Sequence, residues 1–482
     1  MKKKTGVHYY INVKNLEEII KEEENKDEDL KRTLHMLQTY FVGLTKLVKD
    51  RGGKIEKYTS GRAHIVFEIS ENENIDNNIV ETMCACFIYV NSIFNKLGKY
   101  SRYKNFIVHA GVDYGDYYDY EIENDKITSI GSVANNSAKI QSAALKNHIY
   151  ATKSFINNID SEIKDKFDRL DNDEYEELYN KLNINDIYYI NYLDIFNGDK
   201  NNEILESLDE VKNKVEEETK EINLKDIIFE DVVKKVSFDN LSLKGVNKKI
   251  ERAAIICADI RGFTKLFTVS NSNLEELKEV MVEIYTAMGE VVESFNGTLV
   301  QYQGDRLVAI YHDYDTEKDY IIRAIEATLT LKERLVEISK NDEIKKKLKN
   351  KEISVGIGCS TGKVIATRLG MNKNKDNIVL GEAYKYSNKA EDEYADKGEV
   401  VISKILKNEI DLISEDELNE NTKYEVLSEL FKAINTTGYY LTNVTFEEYN
   451  IKLQKAEEEK NIINQVAEQE FKSIGGVRPF GR

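Results

Sequence analysis

Two aspartates stand where a carboxylate is costly. In ICADIRGFTKLF, which starts at Ile256, an apolar run ends on Asp259 just before an Arg-Gly turn. In NGTLVQYQGDRLVAIY, which starts at Asn296, Asp305 follows Gly304 between two strand-like runs. A carboxylate at the end of a buried strand needs a cationic partner, hydrogen-bond donors or a metal ion. Taken singly, Asp259 also reads as the cap of the following helix, and Gly304-Asp305 as a hairpin turn.

The elements that must position these residues occur twice. The chain repeats itself at a period near 250 residues. Setting Gly53 of GGKIEKYTSGRAHIVF on Gly297 superimposes Tyr58 on Tyr302 and Arg62 on Arg306, an offset of 244. VHAGVDYGDY at Val108 resembles VGIGCSTGKV at Val355, and SIGSVANNSAKI at Ser129 resembles VLGEAYKYSNKA at Val379, at offsets of 247 and 250. Four matches in one order, counting IYATKSFINNI with VVISKILKNEI, point to a duplication. Each half reads as strand, long amphipathic helix, hairpin, helix, strand and a strand-helix unit. That βαββαβ order predicts an α+β fold with a ferredoxin-like core in each half.

The expected boundaries are residues 1–195 for the first domain, 196–249 for a helical linker and 250–450 for the second domain. Residues 451–482 form a charged helical tail. The linker sequence NNEILESLDEVKNKVEEETKEI has helical spacing and dense charge, which also suits a solvated surface helix.

Composition narrows the class. With 482 residues, 41% of them hydrophobic and 32% charged, the chain suits two or three soluble domains. No apolar run approaches membrane-spanning length, and MKKKTGVHYYINV reads as a first strand rather than a signal peptide. Four cysteines in apolar segments suit a reducing compartment, so a cytoplasmic location without a membrane partner is expected. The net charge of −18 argues against a nucleic-acid partner. The six histidines show no metal-ligand spacing on a helix.

ADIRGFTKLF followed by YQGDRLVAIY resembles the class III nucleotidyl cyclases. In that family two cyclase domains pair head to tail, and two aspartates of one domain hold two divalent metals. The resemblance makes Asp259 and Asp305, with the backbone of Ile260, the ligands of two Mg²⁺ or Mn²⁺ ions. Such ions activate a ribose 3′-hydroxyl for attack on the α-phosphorus. The turn through Phe263 and Thr264 would offer backbone N–H groups to the phosphates of a nucleoside triphosphate.

The family's positions are split between the halves. The first half has Asn12 and Gly61 at the metal positions, so it is degenerate for metals. It keeps the complementary set: Lys57 and Thr128 to read the base, Asn135 to orient the ribose, and Lys139 where the family has its transition-state arginine. Lysine keeps the charge and loses the bidentate fork. The second half has Gln301, Ile378, Lys385 and Lys389 at those four positions. This resembles the pseudo-heterodimer of mammalian transmembrane adenylyl cyclases, here within one chain, and implies one working site and one dead pocket. A monomer with two paired domains is expected.

Lys57 with Thr128 resembles bacterial adenylyl cyclases, yet the same donors suit uracil or cytosine. Guanine is disfavoured, because guanylyl cyclases place glutamate at the lysine position. The bare two-domain architecture resembles the pyrimidine cyclases of Pycsar antiphage systems, whose cyclic UMP or cyclic CMP activates a separately encoded effector. Tyr58, beside Lys57, would fill the space a purine needs, or else pack the hairpin. A pyrimidine cyclase is the expectation, with an adenylate cyclase as the alternative and a non-catalytic nucleotide-binding regulator behind both.

Overall fold

In the computed structural model each half builds one sheet, and the two sheets have the same strand order. The structure describes residues 2–24, 30–70, 73–96, 105–122, 126–171, 184–220, 222, 224–262, 274–314, 317–348, 352–371, 374–416 and 421–473. The first half contributes β1 (Lys2–Val13), β2 (Lys54–Thr59), β3 (Arg62–Ile69), β4 (Val108–Ile122), β5 (Lys126–Ile130), β6 (His148–Thr152), β7 (Asp168–Arg169) and β8 (Ile187–Asn191). The second contributes β9 (Ile228–Asp231), β10 (Val246–Arg261), β11 (Thr298–Gln303), β12 (Arg306–His312), β13 (Ser354–Met371), β14 (Asn374–Leu380), β15 (Val400–Ser403), β16 (Lys432–Ala433) and β17 (Tyr439–Thr442). The sheets run β2-β3-β1-β4-β6-β8-β7 and β11-β12-β10-β13-β15-β17-β16, with β5 on β4, β14 on β13 and β9 on β10. Apart from β9 the orders correspond strand for strand.

Strand alternation decides the faces. In β1, Val7, Tyr9, Ile11 and Val13 enter the core beneath helices Lys31–Asp50 and Asn77–Lys96. His8, Tyr10 and Asn12 therefore point to the opposite face. In β10 the corresponding outward positions are Ile255, Cys257 and Asp259.

The halves exchange arms. Ile365, Leu369, Ile378 and Leu380 of the β13–β14 hairpin are buried in the first half's core, and Ile130 of β5 joins the second half's core. Gln38 and Gly370 exchange two hydrogen bonds at 3.0 and 2.9 Å, and the Tyr58 amide donates to Asp376 at 2.9 Å. The paired architecture that the family resemblance implied is therefore formed within one chain.

The linker departs from the helical expectation. Helices Gly198–Ser207 and Asp209–Lys220 are followed by β9, which pairs in parallel with the start of β10. Beyond it Val236, Phe238 and Leu241 pack on the outward face of the second sheet, beside Ile255, Cys257, Val300 and Val308. Burial of those apolar side chains on a sheet outweighs whatever helix preference the segment has. The tail is a 28-residue helix, Phe446–Ser473. Among the described residues no helix is long and apolar enough to cross a membrane.

Candidate active site

A cavity of about 320 Å³ lies between the two outward faces. Its acidic wall comes from the second half. Asp259 sits at the end of β10, directly opposite Arg306 in β12, and Asp305 precedes Arg306 in the turn of the β11–β12 hairpin. Gly304, at φ 69°, takes the left-handed conformation that this turn needs. Antiparallel pairing thus makes neighbours of two residues far apart in the chain.

Two arginines and a further acid complete that wall. Arg261 donates to Asp259 at 2.8 Å and to Glu391 at 2.7 Å, and Arg306 pairs with Glu391 at 3.1 Å. Burial pushes the Asp259 carboxyl up against the pull of Arg261 and Arg306. Burial, then the charge of Asp259, pushes Asp305 well above the usual carboxylate range. Burial raises Glu391 to about 7. Asp259 and Asp305 are half-buried and Glu391 is buried, and a cation beside them would favour their ionised forms.

The donor set fits a hard divalent ion in part. Asp259 and Asp305 are two oxygen ligands on one wall, and Ile260 lines the cavity between Asp259 and Arg261. Among the described residues no three His, Cys, Asp or Glu side chains form a complete cage. An ion held by one or two carboxylates and finished by substrate phosphates and water is the usual Mg²⁺ arrangement.

The opposite wall comes from the first half. Asn135 and Lys139 lie one turn apart on helix Ser132–Ala143, and both line the cavity. Lys139 is exposed, and its ammonium makes no ion pair or side-chain hydrogen bond among the described residues. Lys57 also lines the cavity and donates across the interface to the Tyr302 carbonyl.

Sequence reasoning missed the residue beside it. The β2–β3 ladder shifts register between Ile55 and Lys57, so Glu56 occupies a bulge. Its carboxylate accepts from the Ser129 amide at 2.7 Å and from the Ser129 hydroxyl, and it lies 3.3 Å from His64. Burial opposes ionisation of Glu56, but His64, His8 and the Ser129 amide outweigh it and hold the carboxyl well below its usual range. Tyr10 stacks on His64 with ring centroids 4.1 Å apart, and His8 meets His64 at 2.9 Å. The only sequence signal for this group was the shared face of His8 and Tyr10 in β1.

Other expectations change or fall outside the description. Tyr58 does not face the cavity. It is fully buried, stacked on Phe41 at 4.0 Å, with its hydroxyl bonded to Thr45 and the Phe41 carbonyl. The large flat ring finds more apolar contact under helix Lys31–Asp50 than in a polar cleft. Thr128 lies on β5 opposite Tyr120, and its side chain lies outside the described residues. Phe263 and Thr264 also lie outside them.

The corresponding positions of the second half are apolar. Where the first half has Tyr10, Glu56 and His64, it has Cys257, Val300 and Val308, covered by Val236 and Phe238. Asn12 and Gly61 border a smaller cavity of about 160 Å³, in which Lys385 is held by Glu17 at 2.8 Å. Ile378 is in the core.

Residues 246–442 match the adenylate and guanylate cyclase catalytic domain. An adenylate cyclase of Anabaena cylindrica is 23% identical over 164 residues, which is 34% of this chain and 31% of that protein. The chain thus matches under a third of that relative's length. A class III adenylyl cyclase-like ATP-binding protein from Pseudomonas aeruginosa superimposes with a TM-score of 0.68 at 17% identity, covering 94% of this chain and 90% of its own. That likeness shows the fold, and it extends over both halves.

Proposed function

We propose that this chain, whose second half belongs to the class III nucleotidyl cyclases, converts a nucleoside triphosphate into a 3′,5′-cyclic nucleotide and diphosphate. One observation carries the reading: Asp259 and Asp305 of one half line the same cavity as Asn135 and Lys139 of the other. Mg²⁺ or Mn²⁺ ions held by Asp259, Asp305 and the Ile260 carbonyl would lower the 3′-hydroxyl pKa and neutralise the triphosphate. Asn135 orients the ribose so that the 3′-oxygen lies in line with the bond to the leaving diphosphate. Lys139 meets the charge that builds on the phosphates as the new P–O bond forms and the old one breaks.

The base is taken to be a pyrimidine, uracil ahead of cytosine. An ionised Glu56 only accepts, which suits the N3–H of uracil. Adenine presents a lone pair at N1, and the donor that would answer it, Lys57, is engaged by the Tyr302 carbonyl. Guanine N1–H would also suit Glu56, so Glu56 removes the sequence-level objection to guanine and makes GTP the nearer rival. The product would serve a separately encoded cyclic-nucleotide-responsive effector in bacterial antiphage defence. That role rests on likeness of domain architecture to the pyrimidine cyclases.

The test is product identification. Purified chain with Mn²⁺ is given ATP, GTP, CTP and UTP separately, and products are resolved by mass spectrometry. Cyclic UMP is the expected product. Cyclic AMP or cyclic GMP would overturn the base reading, and nucleotide binding without any product would make the chain a nucleotide-binding regulator.

A further inference from the structure

We infer that Arg62 is the arginine that grips the substrate's phosphates, supplied from β3 rather than from the helix that carries Lys139. The inference rests on the cyclase reading of the same cavity and adds a residue that the reading does not require.

Three guanidiniums line the cavity: Arg62, Arg261 and Arg306. Two are already engaged. Arg261 is taken up by Asp259, Glu391 and the carbonyls of Glu391 and Ala395, and Arg306 is ion-paired with the other oxygen of Glu391, although its buried Nε has no hydrogen-bond partner among the described residues. Arg62 makes no ion pair and no side-chain hydrogen bond among the described residues.

The repeat explains why it is left over. Arg62 and Arg306 occupy equivalent places, each the first residue of the strand after its hairpin turn. Their surroundings differ in the acids: across the strand pair Arg306 faces Asp259 where Arg62 faces Asn12, and a second difference lies at one position on the helix above. In the second half it is Glu391, which pairs with Arg306. In the first half it is Gln141, which is uncharged and bonded at 2.9 Å to His109. Arg62 is half-buried and pairs with no carboxylate among the described residues, which leaves its guanidinium able to meet an anion.

Position agrees with that role. The Arg62 guanidinium lies over the Tyr10 ring, its carbon 6.0 Å from the ring centroid. Arg62 borders both cavities, and Tyr10, which its guanidinium lies over, lines only the larger one with Asn135 and Lys139. That contact leaves the N–H groups of the guanidinium for a ligand. The fork that Lys139 lacks is present in the same cavity, 77 positions earlier in the chain. Two N–H groups of Arg62 would hold two phosphate oxygens, and Lys139 would act as a point charge beside them.

Two measurements on the full chain test this. The first is steady-state turnover of whichever triphosphate the wild type cyclises. Arg62→Ala should lower kcat by roughly 100-fold, as loss of one transition-state donor does, with KM changed by only a few-fold. Lys139→Arg placed in the Arg62→Ala background should recover about ten-fold, because it returns a fork to the site. A structural role for Arg62 would show no such rescue. The second is calorimetric binding of inorganic diphosphate with Mg²⁺, which needs no turnover. Arg62→Ala should weaken it by about ten-fold, and Arg62→Lys by less. Unchanged diphosphate affinity in a variant that melts like wild type would overturn the inference, as would unchanged kcat or absence of rescue. Loss of diphosphate binding in a chain that cyclises no nucleotide would sink the cyclase reading and leave Arg62 as a phosphate ligand.

Discussion

On the proposed reading, the rate depends on a contact that none of the proposed catalytic residues makes. Helix Ser132–Ala143, which carries Asn135 and Lys139, lies directly on β4 at Gly111. A Cβ at Gly111 would stand 2.3 Å from the Ser137 carbonyl oxygen and 2.4 Å from the Gln141 amide nitrogen. Both obstacles are backbone, so no side-chain rotation relieves them. Ordinary contact begins near 3.4 Å, so in Gly111→Ala the helix must retreat by roughly 1 Å. Overpacking of this kind costs about 1–3 kcal/mol of stability. The same 1 Å displaces Asn135 and Lys139 from the aspartates across the cavity, and misplacement on that scale costs about 100-fold in rate. Gly115 on the same strand is the control, since its nearest neighbour would be Val133 Cβ at 3.8 Å. The assay is kcat at saturating nucleotide, well below the melting temperature of every variant. Gly111→Ala should lose about two orders of magnitude and Gly115→Ala no more than about three-fold. A folded Gly111→Ala enzyme with wild-type kcat would refute the argument that close helix-on-strand packing sets the site.

Three further outcomes follow from the same structure. Asp305→Asn should abolish measurable cyclisation yet melt no lower than wild type, because it removes a half-buried charge that Asp259 opposes; a retained rate would mean that Asp305 holds no ion. Glu56→Gln replaces a pure acceptor with a group that also donates, so the preference among the four triphosphates should shift by at least about ten-fold; an unchanged profile would remove Glu56 from base reading. His109 fits its site as the neutral ring, with Nδ1–H donating to the Ala144 carbonyl at 2.9 Å and Nε2 accepting from Gln141 at 2.9 Å. Burial lowers its pKa from 6.5 to about 3. Stability from the neutral ring is therefore complete above pH 6.5 and is lost as pH falls towards 3, about 2 kcal/mol of it by pH 5. Urea unfolding at pH 7 and pH 5 should show that loss, reduced in His109→Gln, and equal losses in both proteins would disprove it.

Resemblance to the class III cyclases implied the division of Asp259 and Asp305 from Asn135 and Lys139, whereas the sequence by itself determined the duplication and the strand-helix order of each half. Those features are linear: they depend on periodicity and on spacing between residues, which survive in a one-dimensional reading. The tertiary structure decided what depends on a one-residue change of face or on a partner far away in the chain. A bulge turns Glu56 towards His64, and β-hairpin packing takes Tyr58 into the core beside Phe41. The linker, read as helix, covers Val300 and Val308 with Val236 and Phe238. Arg62 and Arg306 are the same residue at equivalent places in the repeat, and their partners tell them apart: Arg306 faces Asp259 and pairs with Glu391, where Arg62 faces Asn12 and Gln141 is bonded to His109. Charge compensation acts through space, and the residues that supply it lie on other elements, far from either arginine in the chain.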